Sequence, residues 1–407
     1  MSSKLNFHKS WENIFDRYNL SAKIKKQGFV DISADELKAV DGKEPRLLTK
    51  IDFREKLPDI MKNEGLAILA IKNGLYRIAP IDPFIDIQEE IGTNIIELEA
   101  PKEILSIDPY NITSESAALD IAAISDMHRI LFEEKSSLTI RGRLRGSLNF
   151  KISNIPFMID GVQIEVDGGY ESKNALHLIE AKIGYSSNIN IRQLLYPHLF
   201  WSDKLAGRKE VKSYIFYLQG DIFRFIPYFY DGSIGYADHS KEKAFQFKRS
   251  KEKFSIYDIS IEPHNVDSSI PFPQADRFET IDTMLMLISK NSCMTKEELS
   301  FHFDIVDRQI DYYFNVLKWL KVAYEENECL KLTPAGENIV KLPFRERMKT
   351  FAKIIFSDPI ANAILHKKPI DPKHFQIYKL NSETTRKRRV RTIKEWIKYF
   401  EKIFHSD

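Results

Sequence analysis

Cysteine is nearly absent. The 407 residues hold only Cys293 and Cys329, too few for a disulfide scaffold or a four-cysteine zinc site. No run of roughly 18 apolar residues occurs, so a membrane span is not expected. The opening stretch MSSKLNFHKSWENIF lacks the apolar segment of a signal peptide. No fixed-period repeat is present, which argues against a solenoid. Nor is there a Gly-x-x-x-x-Gly-Lys-Ser/Thr loop, so no nucleotide cofactor is expected, and a helicase-fused enzyme is disfavoured. Excess charge is also missing: 60 Lys plus Arg against 58 Asp plus Glu leave a formal net charge of +2. That balance excludes a protein coated in positive charge but not a local basic patch, the scale on which nucleic-acid binding acts. What remains is globular: 43% apolar, 29% charged, and longer than one typical domain of roughly 100–200 residues. The expectation is a soluble cytoplasmic protein of two or three domains.

Residues 1–100 read as a small α+β unit. Trp11, Ile14, Phe15, Tyr18 and Leu20 recur at roughly helical spacing, and residues 29–32 are strand-like. Ser33 followed by Glu36 is a capping box opening a helix. A second helix is expected over about 53–63. The apolar runs 66–71 and 75–79, separated by Lys72-Asn73-Gly74, read as a hairpin. Helices followed by a hairpin loosely resemble a winged helix; a plain accessory domain fits as well. Beyond Pro80 and Pro83, a long helix is expected over about 113–133, with Thr113 or Ser114 as its cap. Short strands follow at 138–140, 148–152 and 156–159.

The chemistry-bearing segment is 162–183. Two strand-like runs flank Lys173-Asn174, where Asn tolerates positive φ and suits a two-residue turn. That turn sets Asp167 directly opposite Glu180, their side chains on one face of the hairpin. Lys182, two residues on, projects from the same face. Two carboxylates with a gap between them suit a hard divalent cation such as Mg²⁺, and a neighbouring ammonium suits a phosphodiester transition state. The acid-x-Lys triplet alone carries little weight, since it recurs at Glu36, Asp41, Glu133 and Glu210. At Glu180-Ala-Lys182 it follows an apolar strand and has an acid thirteen residues upstream.

These residues resemble the PD-(D/E)XK nuclease superfamily, and within it the type II restriction endonucleases. The resemblance rests on Val166-Asp167-Gly168-Gly169, Leu178-Ile179-Glu180-Ala181-Lys182 and Ile191–Pro197, and spans about residues 112–230. It implies an α/β (α+β) fold with a mixed sheet flanked by helices. It also implies Asp167 and Glu180 as Mg²⁺ ligands and Lys182 as the catalytic cation. In one branch the following helix brings a Gln and a Tyr near the active site; here these are Gln193 and Tyr196, three apart rather than that branch's four. Such enzymes also often place a Glu from the upstream helix near the metal, and Glu115 is the candidate. The nuclease domain is then 101–265.

Residues 272–407 read as a winged-helix region with a basic helical tail. Helices are expected from Phe278, from the Thr295–Glu298 capping box, and over 306–320 in the position of a recognition helix. A wing over 322–333 precedes Leu332-Thr333-Pro334-Ala335-Gly336, an ending that resembles many winged-helix domains. Arg308, Gln309, Tyr312 and Asn315 are candidate DNA contacts, although Asp307 and Asp311 oppose phosphate. Five of the six residues 386–391 are basic, which makes Arg386, Lys387, Arg388, Arg389 and Arg391 the best phosphate-binding candidates. An amphipathic helix carrying Ile393, Trp396, Ile397 and Phe400 follows.

The expected function is Mg²⁺-dependent, sequence-specific cleavage of double-stranded DNA, leaving 5′-phosphate and 3′-hydroxyl ends as the resemblance implies. One active site cuts one strand, so a homodimer is expected on a palindromic duplex. The alternatives are a repair or recombination nuclease of the same fold, or a winged-helix DNA-binding regulator with an inactive nuclease-like domain.

Overall fold

The computed structural model describes residues 3–89, 91–184, 186–248, 254–262, 269–303 and 307–404. The chain divides into two units, Met1–Lys248 and Arg249–Asp407.

The first unit opens with α1 (Ser3–Tyr18) and α2 (Leu20–Gln27), then β1 (Val30–Ser33), α3 (Ala34–Asp41), α4 (Pro45–Thr49), α5 (Asp59–Glu64), β2 (Ala67–Lys72) and β3 (Leu75–Ala79). Trp11, Ile14, Phe15 and Leu20 of the expected helical stripe are buried. The Ser33–Glu36 capping box forms in both directions: the Glu36 amide donates to Ser33 Oγ (3.2 Å) and the Ser33 amide to Glu36 Oε2 (2.8 Å). The helix expected over 53–63 is instead a 3₁₀ turn (Arg54–Lys56) and α5, because Pro58 interrupts it. Gly74, at φ +73°, turns the β2–β3 hairpin as its sequence requires.

Next come β4 (Phe84–Asp86), β5 (Ile95–Leu98), α6 (Glu115–Ile124), α7 (Met127–Phe132), β6 (Ser136–Ile152), β7 (Ile155–Ser172), β8 (Ala175–Ile183), β9 (Asn188–Asn190), α8 (Leu195–Leu205), β10 (Glu210–Gln219), β11 (Ile222–Phe229), β12 (Tyr236–Ala237) and β13 (Lys243–Phe247). Ser114, one of the two expected caps, accepts from the Ala117 amide. The expected 113–133 helix breaks at Ser125-Asp126, where Asp126 adopts φ +63°. The expected short strands merge into one hairpin, β6–β7, turned by Ser153 and Asn154, both at positive φ. At the next turn neither Lys173 nor Asn174 takes positive φ, contrary to expectation; Ser172 Oγ holds it by accepting the Ala175 amide (3.1 Å).

The large sheet runs β1-β3-β2-β7-β8-β10-β11-β13-β5, with β6 alongside β7 and β12 alongside β11. β8 pairs antiparallel with β7 and parallel with β10, so the sheet is mixed. Helices cover both faces. Along β10, Ile215 and Tyr217 join the cluster of Leu195 and Tyr196 from α8, whereas Tyr214, Phe216 and Leu218 join that of α6 and α7. The former cluster is one packed group that takes in residues from Trp11 through Ile87 and from Leu148 to Tyr228. The expected domains 1–100 and 101–265 therefore share a sheet and a core, and the packing boundary falls at Lys248 rather than 265.

The second unit contains α9 (Phe278–Asn291), β14 (Met294–Thr295), α10 (Lys296–Phe303), α11 (Asp307–Trp319), β15 (Ala323–Glu326), β16 (Cys329–Leu332), α12 (Pro334–Val340), α13 (Phe344–Phe356), α14 (Pro359–Leu365), α15 (Pro372–Ile377) and α16 (Glu383–Phe404). Residue 306, the expected start of the third helix, lies outside the described residues. The strands form a small sheet, β14-β16-β15. Cys293 and Cys329 are disulfide-bonded, their Cα atoms 5.8 Å apart. Thr333 caps α12, and Gly336 follows because a Cβ there would lie 2.0 Å from the Val322 carbonyl oxygen. No helix among the described residues is long and apolar enough to cross a membrane.

Candidate active site

Asp167 sits where β7 is bulged. Between the pairs Ile140↔Gly169 and Gly142↔Val166, β7 spends three steps where β6 spends two. Such an insertion re-aims a side chain locally. The two glycines that follow are sterically required: a Cβ on Gly168 would lie 2.8 Å from the Tyr170 ring, and one on Gly169 2.7 Å from Ile140 Cβ. The β7–β8 ladder runs from Glu171↔Leu176 to Gly168↔Ile179. That is the register the sequence predicts, and one more step along it would set Asp167 opposite Glu180, although the ladder itself stops at Gly168. Instead of continuing the backbone ladder, Asp167 Oδ2 accepts the Ala181 amide (2.9 Å).

Glu180, on β8, is almost fully buried with 6% of its surface exposed. Its Oε1 accepts from Lys182 Nζ (2.5 Å) and from Gln193 Nε2 (2.5 Å). Lys182 Nζ also donates to the Ala181 carbonyl (3.1 Å). Burial pushes the Glu180 carboxyl up to about 8; Lys182 opposes that rise, while the charges of Asp167 and Glu115 add to it. Burial disfavours the charge on Lys182, but Glu180, Glu115 and Asp167 together outweigh it and hold the ammonium above its ordinary range. Glu115, the first residue of α6, thus acts electrostatically on both residues. Gln193 closes a 3₁₀ turn (Ile191–Gln193), and its Oε1 is buried without a partner. A cleft enclosing about 210 Å³, part of it open solvent, is lined by Glu165, Val166, Leu178, Glu180, Gln193 and Ser213, among others.

Tyr196 does not join the site. It is buried in the core, donates to the Ala70 carbonyl (3.3 Å), and packs 5.6 Å from the Phe150 ring. The segment 191–197 is not one helix: a 3₁₀ turn passes through Leu194 (φ −112°) before α8 starts, so three-residue spacing does not keep Gln193 and Tyr196 on one face.

The C-terminal candidates are more dispersed. Arg308 is in the first turn of α11, its side chain outside the described residues; Gln309 is exposed, Tyr312 and Asn315 half-buried. Asp311 is paired with Lys296 (2.7 Å). The basic segment 386–391 lies inside α16 rather than ahead of it. Arg386 stacks 4.9 Å over the Phe375 ring and donates to the Leu380 carbonyl (2.7 Å). Arg389 donates to Gln274 and is half-buried, and its desolvation lowers its pKa. Lys387, Arg388 and Arg391 remain exposed, Lys387 paired with Glu383 at 2.8 Å. Sequence reasoning overlooked Arg141, whose Nε donates to the Asp167 carbonyl (3.1 Å) and whose guanidinium pairs with Asp120 (2.7 Å). Its signal is the alternation of Arg141, Arg143 and Arg145 at strand period.

Three family models match the chain, each described as a domain of unknown function: DUF6996 over residues 8–78, DUF6997 over 79–248 and DUF7226 over 280–404. The middle one contains the whole candidate site and ends where the first unit ends. No curated protein matches, and no solved structure matches.

Proposed function

We propose that the chain is a Mg²⁺-dependent endodeoxyribonuclease of the type II restriction kind. Its PD-(D/E)XK core lies in the first unit, and a winged-helix region in the second engages duplex DNA. One observation carries this reading: a bulge on β7 and the ladder to β8 bring Asp167, Glu180 and Lys182 together, as the resemblance requires. Their surroundings hold Glu180 buried and Lys182 charged.

The donor set suits a hard cation. The Asp167 and Glu180 carboxylates and the Ala181 carbonyl offer oxygen ligands, and Gln193 Oε1 is a buried acceptor with no partner. Among the described residues no group of three or more His, Cys, Asp or Glu side chains is arranged to hold a metal, so in this reading the two carboxylates would be joined by amide oxygens and water. Bound there, Mg²⁺ supplies charge stabilisation at the phosphodiester and acidifies a water. The chain's own residues do the rest. Gln193 Nε2 and Lys182 Nζ fix the rotamer of Glu180 from two sides. Lys182, half-buried, presents a protonated amine to the negative charge that grows on the phosphate. Asp167 is locked by the Ala181 amide.

The second unit supports the DNA partner through its three helices, α9 to α11, followed by the β15–β16 hairpin, and through the exposed Arg388 and Arg391 on α16. Because one site cuts one strand, two copies act on a palindromic duplex.

The test is incubation of supercoiled and linear unmethylated DNA with Mg²⁺, comparing wild type with Asp167→Ala. Discrete fragments from wild type alone are expected. Random or end-dependent degradation points to a repair nuclease instead. No metal-dependent cleavage on several unmethylated genomes leaves the DNA-binding regulator.

A further inference from the structure

β6 carries an unbalanced charge. Its 17 residues, SSLTIRGRLRGSLNFKI, include Arg141, Arg143, Arg145 and Lys151 and no acid, in a chain whose net charge is +2. From Ile140 to Ile152 the irregularities of the β6–β7 pairing fall on β7, so β6 keeps its alternation unbroken. Residues 141, 143, 145, 147, 149 and 151 are exposed, while Leu148, Phe150 and Ile152 between them are buried. One face therefore shows Arg, Arg, Arg, Ser, Asn, Lys in file, every one a hydrogen-bond donor. At about 3.3 Å per residue the file spans roughly 33 Å, close to one turn of duplex DNA at roughly 34 Å.

Of the acids of β7 that carry an ion pair, only Glu165 pairs with a cation of this row. Asp160 is taken by Lys72 (3.1 Å) and Glu171 by Lys209 (2.5 Å), both from other strands or loops. Asp160 also accepts from Ser147 Oγ (3.3 Å). Arg141 pairs with Asp120 and Arg143 with Glu165 (3.0 Å). Among the described residues Arg145 and Lys151 have no ion-pair partner. The row starts at the candidate site, since Arg141 bonds the Asp167 carbonyl and Glu165 lines the same cleft as Glu180.

We infer that the exposed face of β6 is a track for the phosphate backbone of duplex DNA, with Arg145 and Lys151 as its outer contacts, leading the strand to be cut toward Asp167 and Glu180. This rests on the nuclease reading. Charge complementarity and continuity with the site select the occupant: a row of like charges at strand period matches a polyanion of regular spacing.

The test measures binding of full-length protein to a labelled 30-bp duplex in EDTA, by fluorescence anisotropy from 50 to 200 mM salt. Arg145→Ala/Lys151→Ala is expected to weaken binding about tenfold and to lower the log–log salt slope by about 2, roughly 0.9 per lost phosphate contact. Arg145→Lys/Lys151→Arg is expected to keep the wild-type slope. Thermal melting and near-UV circular dichroism confirm that each variant is folded. A folded alanine variant with the wild-type slope overturns the track; added aggregation of that variant would then assign these cations to guarding an exposed edge strand. Mg²⁺-dependent cleavage by wild type separates the two claims. Cleavage with an unmoved slope rejects the track and keeps the nuclease, whereas neither cleavage nor duplex binding by wild type rejects both.

Discussion

Glu180 and His128 show how burial gives a single residue opposite meanings. Around Glu180 the buried volume contains Lys182, Gln193 and a second carboxylate, so desolvation raises a carboxyl that still has hydrogen-bond partners. Around His128 it contains Phe132, Tyr170 and Phe225, their ring centroids 4.3–5.8 Å away, and neither ring nitrogen has a partner. Desolvation, and to a lesser degree His177, push His128 down to about 3. His177 falls to about 4 through desolvation and the charge of Lys212, against the pull of Glu134. Both rings are neutral in the fold, whereas in the unfolded chain they protonate near pH 6.5. Above about pH 6.5 neither contributes a pH term. Below it the unfolded chain gains protons that the fold refuses. Through these two histidines the first unit is expected to lose stability between about pH 6.5 and pH 4, by up to about 1.4 kcal/mol per pH unit each, while Glu180, raised to about 8 in the fold, works in the opposite direction over part of that range. Urea melts of residues 1–248 at pH 7, 6 and 5 should show this, and His128→Phe should flatten the dependence. An equal slope in wild type and variant would refute the assignment.

Elements were legible where the signal was local. The Ser33–Glu36 box, the Asn73-Gly74 turn and the β7–β8 register all rest on neighbours a few residues apart, and all appear. The long β6–β7 hairpin was not legible, because glycines and serines interrupt its apolar pattern and only pairing across 30 or so residues joins the pieces. The bulge at Asp167 was hidden for the same reason: it exists only as a mismatch between two strands. Gly169 is its packing signature. Gly169→Ala is expected to push against Ile140 and cost about 1–3 kcal/mol, as overpacked core sites do. On the proposed nuclease reading, loss of cleavage should exceed what the lower melting temperature explains, since the bulge aims Asp167. A variant as stable and active as wild type would show that the close approach has no consequence.

At the scale of the molecule, composition pointed to two or three domains, and sequence pattern placed a boundary near residue 100. The family models likewise separate residues 8–78 from 79–248. Packing joins them. Asn190 Nδ2 donates to the Ile51 carbonyl (2.9 Å), Asn188 Nδ2 to Glu55 (2.9 and 3.0 Å), Arg192 pairs with Asp52, and Arg77 bonds the Pro156 carbonyl. Removing residues 1–100 is therefore expected to leave an aggregating fragment 101–248, whereas 1–248 stays soluble and melts in one transition. Gel filtration and calorimetry decide between them, and a cooperative melt from 101–248 would restore the boundary. By itself the sequence determined that Asp167, Glu180 and Lys182 are the candidate cluster and where several helices and turns start, because capping, turn and strand-period rules act over a handful of residues. Only the tertiary structure decided that Gln193 reaches Glu180 while Tyr196 turns into the core, that Arg386 lies over Phe375 and Arg389 bonds Gln274, and that β6 presents a basic row. Each of these depends on which distant segment lies alongside, a fact set by burying one shared core and invisible to any local pattern.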